Sequence, residues 1–503
     1  MPQTRAFNLI DEVWIPVAGS TPASLRDVFA REDIRELGGN PIQKIALLKL
    51  FQAIAQAAHT PVDDSDWAAL KPRGLGKACL AYLDKWHDAF WLYGEKPFLQ
   101  MPAIKAAKKR PFWAPLPNIA TENNALLFDS QRKQPMSEPE KALLVVTLMG
   151  FGFALKRADN SVVLTKDYPG KHSKAGGVAN EKPGTSLGNR GYQHHFLIGS
   201  NLLETIWFNT LTTNDLAPLK FFPVGIPPWE RMPEGEDCAT ARALKKSLMG
   251  RLVPISKFVM LAEDGIHYSD GILHDDHNSD VFFDPSIAID MGNKKVMWVD
   301  PEKQLWRNLP ELLTFLSGRL GKNCFGLKLA IAKACDQCRH FTLWAGGIHV
   351  SGNTAGVRKP QGKDDFLESR LLIPSDYIDE DEDNSWFTAI EREMRALEDL
   401  SINLHKAVKK YFEGLTARHR GKKEDAKAAK AKALLASSMF WQKCDRRAQN
   451  LVDACGRKTQ MELRREFDKY AKETYNSICP RNTARQLEAW AANMPYTAKY
   501  LKP

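Results

Sequence analysis

The stretch Phe387–Leu415, FTAIEREMRALEDLSINLHKAVKKYFEGL, decides how the C-terminal part of the chain folds. Ile390, Met394, Leu397, Leu400, Ile402, Leu404, Val408 and Phe412 return at helical spacing and form a broad apolar stripe, which predicts one long amphipathic helix. Outward toward the C-terminus the same spacing recurs over Ala433–Ala454, Met461–Ile478 and Ala484–Tyr500, with breaks at Arg418–Lys432, Gly456 and Pro480. Four helices with short joints predict an antiparallel four-helix bundle over residues 385–503. The first joint, Ala417–Lys432 (ARHRGKKEDAKAAKAK), reads as a basic loop running into helix.

On the other side lies the acidic run at 375–384 (SDYIDEDEDN), whose self-repulsion predicts an exposed linker. Residues 1–374 before it are mixed. Ile42–Ala58, Pro139–Gly150 and Asn201–Asn209 read as buried helices. Leu252–Met260, Ile287–Asp290 and Lys295–Val299 read as strands, being short, β-branched and bounded by Gly, Asp and Pro. Pro102–Gly199 alternates short apolar pieces with Pro, Gly, Asn and Lys, a pattern of long irregular loops. The expected class is therefore α+β: a large mixed domain with irregular loops and short antiparallel sheets, followed by a helical bundle.

The chain has 503 residues and a net charge of +10. The charge is concentrated: residues 384–503 hold 25 Lys+Arg against 14 Asp+Glu, and residues 101–190 hold 14 against 7. Two basic blocks on a slightly acidic body point to polyanion contact at particular places, although a solvated helix surface explains the C-terminal block equally well. No apolar run is long enough for a membrane span. The start Met1–Arg5 carries no apolar signal region, so a cytoplasmic location is expected. Eight scattered cysteines suit reduced thiols.

Catalytic patterns are sparse. Cys335 and Cys338 form a single CxxC without the second pair a structural zinc requires, and their apolar neighbours suit a buried helix. His274, Asp276 and His277 resemble a hydrolytic metal cluster but lack helical ligand spacing, so a metal-dependent nuclease stands as one alternative, the other being a basic helical scaffold without direct DNA contact. His194-His195 has no supporting carboxylate pattern. No phosphate-binding GxxxxGK[ST], GxSxG or GxGxxG occurs. Neither metal nor cofactor is expected.

Three loops are better candidates for binding. Lys171–Gly184 (KHSKAGGVANEKPG) joins Gly176 and Gly177 to Lys174 and two further lysines, which allows close backbone approach beside phosphate; a plain surface loop is the other reading. Ser351–Gly356 (SGNTAG) between apolar flanks and the basic Arg358-Lys359 predicts a hairpin with Asn353 and Thr354 at its tip. Ala125–Gln134 places Phe128 beside Arg132 and Lys133, suited to stacking on a base with cations on phosphate; Leu126–Phe128 reads alternatively as a core strand.

Near the N-terminus, Phe7–Val17 (FNLIDEVWIPV) reads as two small strands around a turn, with Trp14 anchoring them to a core. As a pattern it closely resembles the opening of the CasA family, the large subunit of the type I-E CRISPR surveillance complex Cascade. Glu95–Gln100 (EKPFLQ) is similar to a second segment of that family, and the order of later features agrees over essentially the whole chain. The resemblance implies a subunit that is not an enzyme. It would read the protospacer-adjacent motif (PAM) in duplex DNA, wedge the strands apart, and dock a helicase–nuclease. Its implied partners are the other Cascade subunits with guide RNA, the target duplex and that nuclease, leaving sequence choice to guide pairing. Carried over by position, Lys174, Gly176 and Gly177 would approach the PAM in the minor groove. Asn353 and Thr354 would stand where relatives carry a glutamine wedge, and Phe128, Arg132 and Lys133 would face the guide RNA. Arg418, Arg420, Lys422 and Lys423 are candidates to contact the displaced strand, a solvated basic loop being the other reading. Two departures stand out. The hairpin tip has no glutamine, and Gly271–His277 has no lysine where relatives use one.

Overall fold

A computed structural model describes residues 6–116, 135–152, 159, 162–166, 168, 191–219, 223–274, 284–290, 295–317, 322–350, 352–354, 357–359, 365–378, 386–416 and 423–501. The chain divides into two compact units, Met1–Pro301 with Leu320–Arg370, and Glu302–Arg319 with Leu371–Pro503.

In the first unit the main helices are α1 (Leu25–Ala30), α2 (Pro41–Ala58), α3 (Asp64–Lys85), α4 (Glu138–Gly150), α5 (Leu202–Phe208) and α6 (Phe325–Cys335). Helix α2 starts on an Asn40–Gln43 capping box with Pro41 in the first turn, and is buried from Ile45 through Gln56. Helix α3 is not legible from periodicity, because Pro72, Gly74 and Gly76 interrupt it. Lys71, at φ 54°, marks a kink between two shorter helices. The strands form small sheets: β1 (His194–Ile198), β7 (His340–His349) and β10 (Asp365–Pro374) in the order β1-β7-β10, β2 (Lys257–Leu261) with β3 (Ile266–Asp270), and β4 (Ile289–Asp290) between β5 (Lys295–Val296) and β6 (Lys322–Asn323). The expected strand Leu252–Met260 begins only at Lys257, since Met249–Leu252 closes a helical turn.

The opening segment differs from its expected local hairpin. Ile15 bridges to Ala23, Val17 to Leu37 and Asn8 to Trp91, so the segment pairs through isolated bridges with three different parts of the chain rather than with itself. Asn8 is buried and carries the turn: its Oδ1 accepts from Ile10 N at 2.9 Å and its Nδ2 donates to His87 O at 3.1 Å. Trp14 does anchor the segment, with its Nε1 donating to Leu9 O at 2.8 Å. Gln100 is likewise a buried clasp, donating to Leu92 O at 2.7 Å and accepting from Leu261 N of β2 at 2.8 Å.

The second unit contains α7 (Trp386–Thr416), α8 (Lys423–Asp445), α9 (Ala448–Arg457), α10 (Gln460–Ile478) and α11 (Ala484–Ala492). The expected bundle is present, with α7 packed against each of the others. One expected helix, Ala433–Ala454, is interrupted at Arg446-Arg447 and falls on α8 and α9. On α7 the core face is Ile390, Met394, Leu397, Leu400, Leu404, Val408 and Tyr411; Ile402, placed in the stripe from spacing, is 49% exposed. Glu393 on the same helix is buried in a bidentate pair with Arg464 at 2.8 Å. Glu302–Arg319 joins this unit through Trp306 Nε1, which donates to Asp445 at 2.7 Å, and Arg307, stacked 3.4 Å above the Trp441 ring. A Cβ at Gly456 would be driven into the Tyr377 ring. Gly456→Ala should therefore cost about 1–3 kcal/mol by thermal unfolding, from overpacking alone; an unchanged melting temperature would show that Tyr377 moves freely aside.

Candidate nucleic-acid interface

Several predicted site residues lie outside the described residues: Phe128, Arg132 and Lys133; Lys174, Gly176 and Gly177; and, of the candidate metal cluster, Asp276 and His277. Arg418, Arg420 and Lys422 also lie outside, while Lys423 is the first residue of α8, so helix starts before the expected end of the basic loop. The structure does describe the roots of the glycine-rich loop, the hairpin and the stretch that begins at Gly271.

The hairpin is a two-stranded ribbon, β8 (Gly352–Thr354) against β9 (Val357–Lys359), between β7 and β10 along the chain. Its register corrects one expectation. Asn353 pairs with Arg358 and Thr354 with Val357, so both are strand residues, and the two residues left between the paired ends are 355 and 356.

The exit of the glycine-rich loop meets the base of this ribbon. Gly191 has φ +73°, and a Cβ there would sit 2.6 Å from Ile348 O, so only glycine fits between the loop exit and the end of β7. Gly191 O accepts from Val299 N at 3.0 Å, and Gln193 N donates to Met297 O at 3.0 Å. Next along the chain, His195 N donates to Ser286 O at 2.8 Å and His194 bridges to Ile287. Segment Asp284–Ile287 is the exit of the central loop. Two candidate binding loops, the glycine-rich loop and the β8–β9 ribbon, thus share one root with the central loop, the run Gly191–His195, and the sequence alone does not show this because the partners are more than 90 residues apart.

A buried polar network fixes that root. Lys49, projecting from apolar α2, forms an ion pair with Asp284, and both are almost wholly buried. Asp284 Oδ1 also accepts from Ser286 N at 3.0 Å and Ser286 Oγ at 2.7 Å. With its proton committed to Asp284, Ser286 Oγ accepts from His194 Nδ1 at 2.9 Å. Burial alone would raise the Asp284 carboxyl, but Lys49, His194 and Ser286 together hold it below the usual carboxylate range. For Lys49, burial draws the ammonium down while Asp284 opposes it. With three donors on one carboxylate, the ionised pair is the form this geometry supports. The signal for Lys49 is present in the sequence: a lysine between Leu48 and Leu50 in a helix buried all round demands a partner.

Of the candidate imidazoles, the described ones are held inside the fold, while His277 lies outside the described residues. His274 is buried and its Nε2 donates to Pro254 O at 2.8 Å. Burial, with the Arg251 charge beside it, pushes its pKa down to about 3. His195 is buried too, accepts from Gln193 Nε2 at 3.0 Å, and is pushed down to about 3 by burial, partly offset by the Ser286 backbone. Among the described residues no group of three His, Cys, Asp or Glu side chains is placed to hold a metal ion. Cys335 and Cys338 are free thiols at the end of α6, and burial pushes Cys335 up to about 11. No helix of the described residues is long and apolar enough to cross a membrane.

A mixed unit of helices and small antiparallel sheets, together with a C-terminal helical unit, is an architecture with known members. The profile of the family described as CRISPR-associated protein Cse1 matches residues 8–493. The chain belongs to the CRISPR-associated Cse1 family. A curated relative, CRISPR-associated protein CasA/Cse1 of Thermus thermophilus, is 28% identical over 354 residues, covering 64% of this chain and 62% of the relative. The chain thus aligns with somewhat under two thirds of that relative's length. Among solved structures, CasA from Thermus thermophilus superposes with a TM-score of 0.71 at 20% identity, covering 98% of this chain and 99% of that one. Cse1 from Acidimicrobium ferrooxidans gives 0.70 at 19% identity, covering 100% and 98%. A chain of a CRISPR RNA-guided surveillance complex gives 0.59 at 16% identity, covering 97% and 98%. At these identities the superpositions speak for the fold.

Proposed function

We propose that this chain is the large subunit of a type I-E Cascade complex. It recognises the PAM in double-stranded DNA, opens the duplex for R-loop formation and helps dock the helicase–nuclease, with no catalytic chemistry of its own. The observation that carries this reading is the common root of the glycine-rich loop, the central loop and the β8–β9 ribbon at Gly191–His195. A reader and a wedge that act on adjacent base pairs need a fixed spacing, and a shared rigid root supplies it. Lys174, Gly176 and Gly177 are assigned to the PAM, with Asn353, Thr354 and the basic Arg358-Lys359 on the ribbon beside the opened pair. Phe128, Arg132 and Lys133 are assigned to guide RNA, and Arg418, Arg420, Lys422 and Lys423 to the displaced strand. The partners are the other Cascade subunits with their guide, the target duplex and the recruited nuclease, all in the cytoplasm.

The test is a pair of variants in the assembled complex. Gly177→Asp should lower PAM-dependent duplex affinity by about tenfold or more, since a carboxylate there blocks close approach and repels phosphate, with assembly intact. Deleting residues 353–358 should slow strand opening more than initial encounter. Unchanged PAM-dependent binding by the first variant, or equal loss of both steps in the second, would refute these assignments. Divalent-metal-dependent cleavage by the isolated chain, abolished by His277→Ala, would favour a nuclease instead.

A further inference from the structure

A groove of about 710 Å³ opens in the first unit beside the Glu95–Gln100 segment. It lies in the size range of specific ligand clefts, about 300–1,000 Å³, and the DNA-reading role makes no use of it. Its walls are stiff. Pro97, Pro228 and Pro233 line it, and Trp229 is locked in place by Nε1 donation to Tyr82 Oη at 2.7 Å and by stacking on Phe98. Its charge runs against that of the molecule. On a chain of net charge +10, the groove is lined by Asp88, Glu95, Glu230 and Glu234 against Lys85 and Lys96. Tyr82 donates its hydroxyl to Glu230. Among the described residues Asp88, Glu95 and Glu234 have no lysine or arginine partner; Asp88 has only His87, at 3.8 Å. Lys85 lies over the Trp86 ring at 5.7 Å, which leaves that end of the groove an aromatic face with a cation already on it.

We propose that this groove is the docking site for an extended, Lys/Arg-bearing segment of another protein subunit. The inference rests on the chain being part of a multi-subunit assembly. An acidic rim disfavours a phosphate backbone, so nucleic acid is the wrong occupant. An apolar, proline-walled trough with unpaired carboxylates at its edge suits a chain that alternates aliphatic and basic side chains, the former in the trough and the latter on the rim. The rigidity of the walls means little ordering cost on binding.

Carbodiimide footprinting tests this on the whole chain, alone and in the assembled complex. Glycine ethyl ester should label Glu95 and Glu234 readily in the isolated chain and several-fold less after assembly. Carbodiimide alone should link one of them to a lysine of a different subunit. Glu95→Lys/Glu234→Lys should weaken incorporation by about tenfold, the loss of two rim ion pairs at an interface, with an unchanged melting temperature. Undiminished labelling in the complex, links only within the chain or to a second copy, or protection by nucleic acid alone would overturn the proposal while leaving the subunit assignment intact. If the wild-type chain fails to co-elute with the complex on size exclusion, the assignment and the proposal fall together. Should the double variant misfold, the labelling and cross-link still decide.

Discussion

Lys49→Met should destabilise the first unit by about 3–5 kcal/mol, because it strands Asp284 as an uncompensated charge in the interior. The carboxylate is wholly buried and, once Lys49 is gone, keeps only the Ser286 hydrogen bonds and the nearby His194 ring. Asp284 would then have to protonate or drag water inward, and either response breaks the Ser286–His194 link that pins the loop root. Removing both charges is different. Lys49→Met/Asp284→Leu should recover most of the loss, since a well-packed apolar pair is often as stable as a buried ion pair. The recovered protein should still bind PAM duplex less well than wild type, because Ser286 and His194 have lost their anchor. Denaturant unfolding of the three variants measures the first part. A single-variant loss below about 1 kcal/mol would mean that Asp284 is not sealed from solvent.

Stability should also fall on acidification, through His195 and His274. Both are buried and pushed down to about 3, against about 6.5 for a free imidazole. Above pH 6.5 both folded and unfolded states hold these rings neutral, so they add no pH dependence. Below 6.5 the unfolded chain takes up protons that the folded chain refuses, and stability is lost until the folded rings titrate near pH 3. At pH 5 each ring should cost about 2 kcal/mol, or about 4 kcal/mol together, relative to neutral pH. The depressed carboxyl of Asp284 extends the same trend to lower pH, where its pair with Lys49 is lost by protonation. Unfolding free energies at pH 7.5 and 5.0 check the prediction, and His195→Gln/His274→Gln should flatten the profile. A wild-type curve level across that interval would show that these rings reach water.

What is legible in the sequence is local. The stripe on Phe387–Leu415 marks α7 to within a residue at each end, and Ile42–Ala58 marks α2. The first is an amphipathic helix with a repeating apolar stripe, and the second is a long apolar run buried nearly all round. Sequence and structure part where local pattern and tertiary pairing disagree. Phe7–Val17 has the alternation of a hairpin, but its partners are Ala23, Leu37 and Trp91. Helix α3 hides behind Pro72, and Ile402 fits the helical spacing although the bundle leaves it on the surface. The tip of the ribbon is misplaced from composition because Asn353-Thr354 is as turn-like as Ala355-Gly356, and only the register separates them. For the site, the loops are visible as composition, Gly- and Lys-rich segments between apolar flanks. Their common root is not, since Lys49, Gly191, Asp284 and Ile348 are brought together only by the fold.

The proposed role of this chain is to supply PAM recognition to the complex it joins. The direct measurement is equilibrium binding of duplexes with and without a functional PAM to the assembled complex, with this chain present or omitted, at fixed salt. The account predicts that discrimination between the duplexes appears only when the chain is present and fades with Gly177→Asp. Discrimination of equal size in its absence would contradict it.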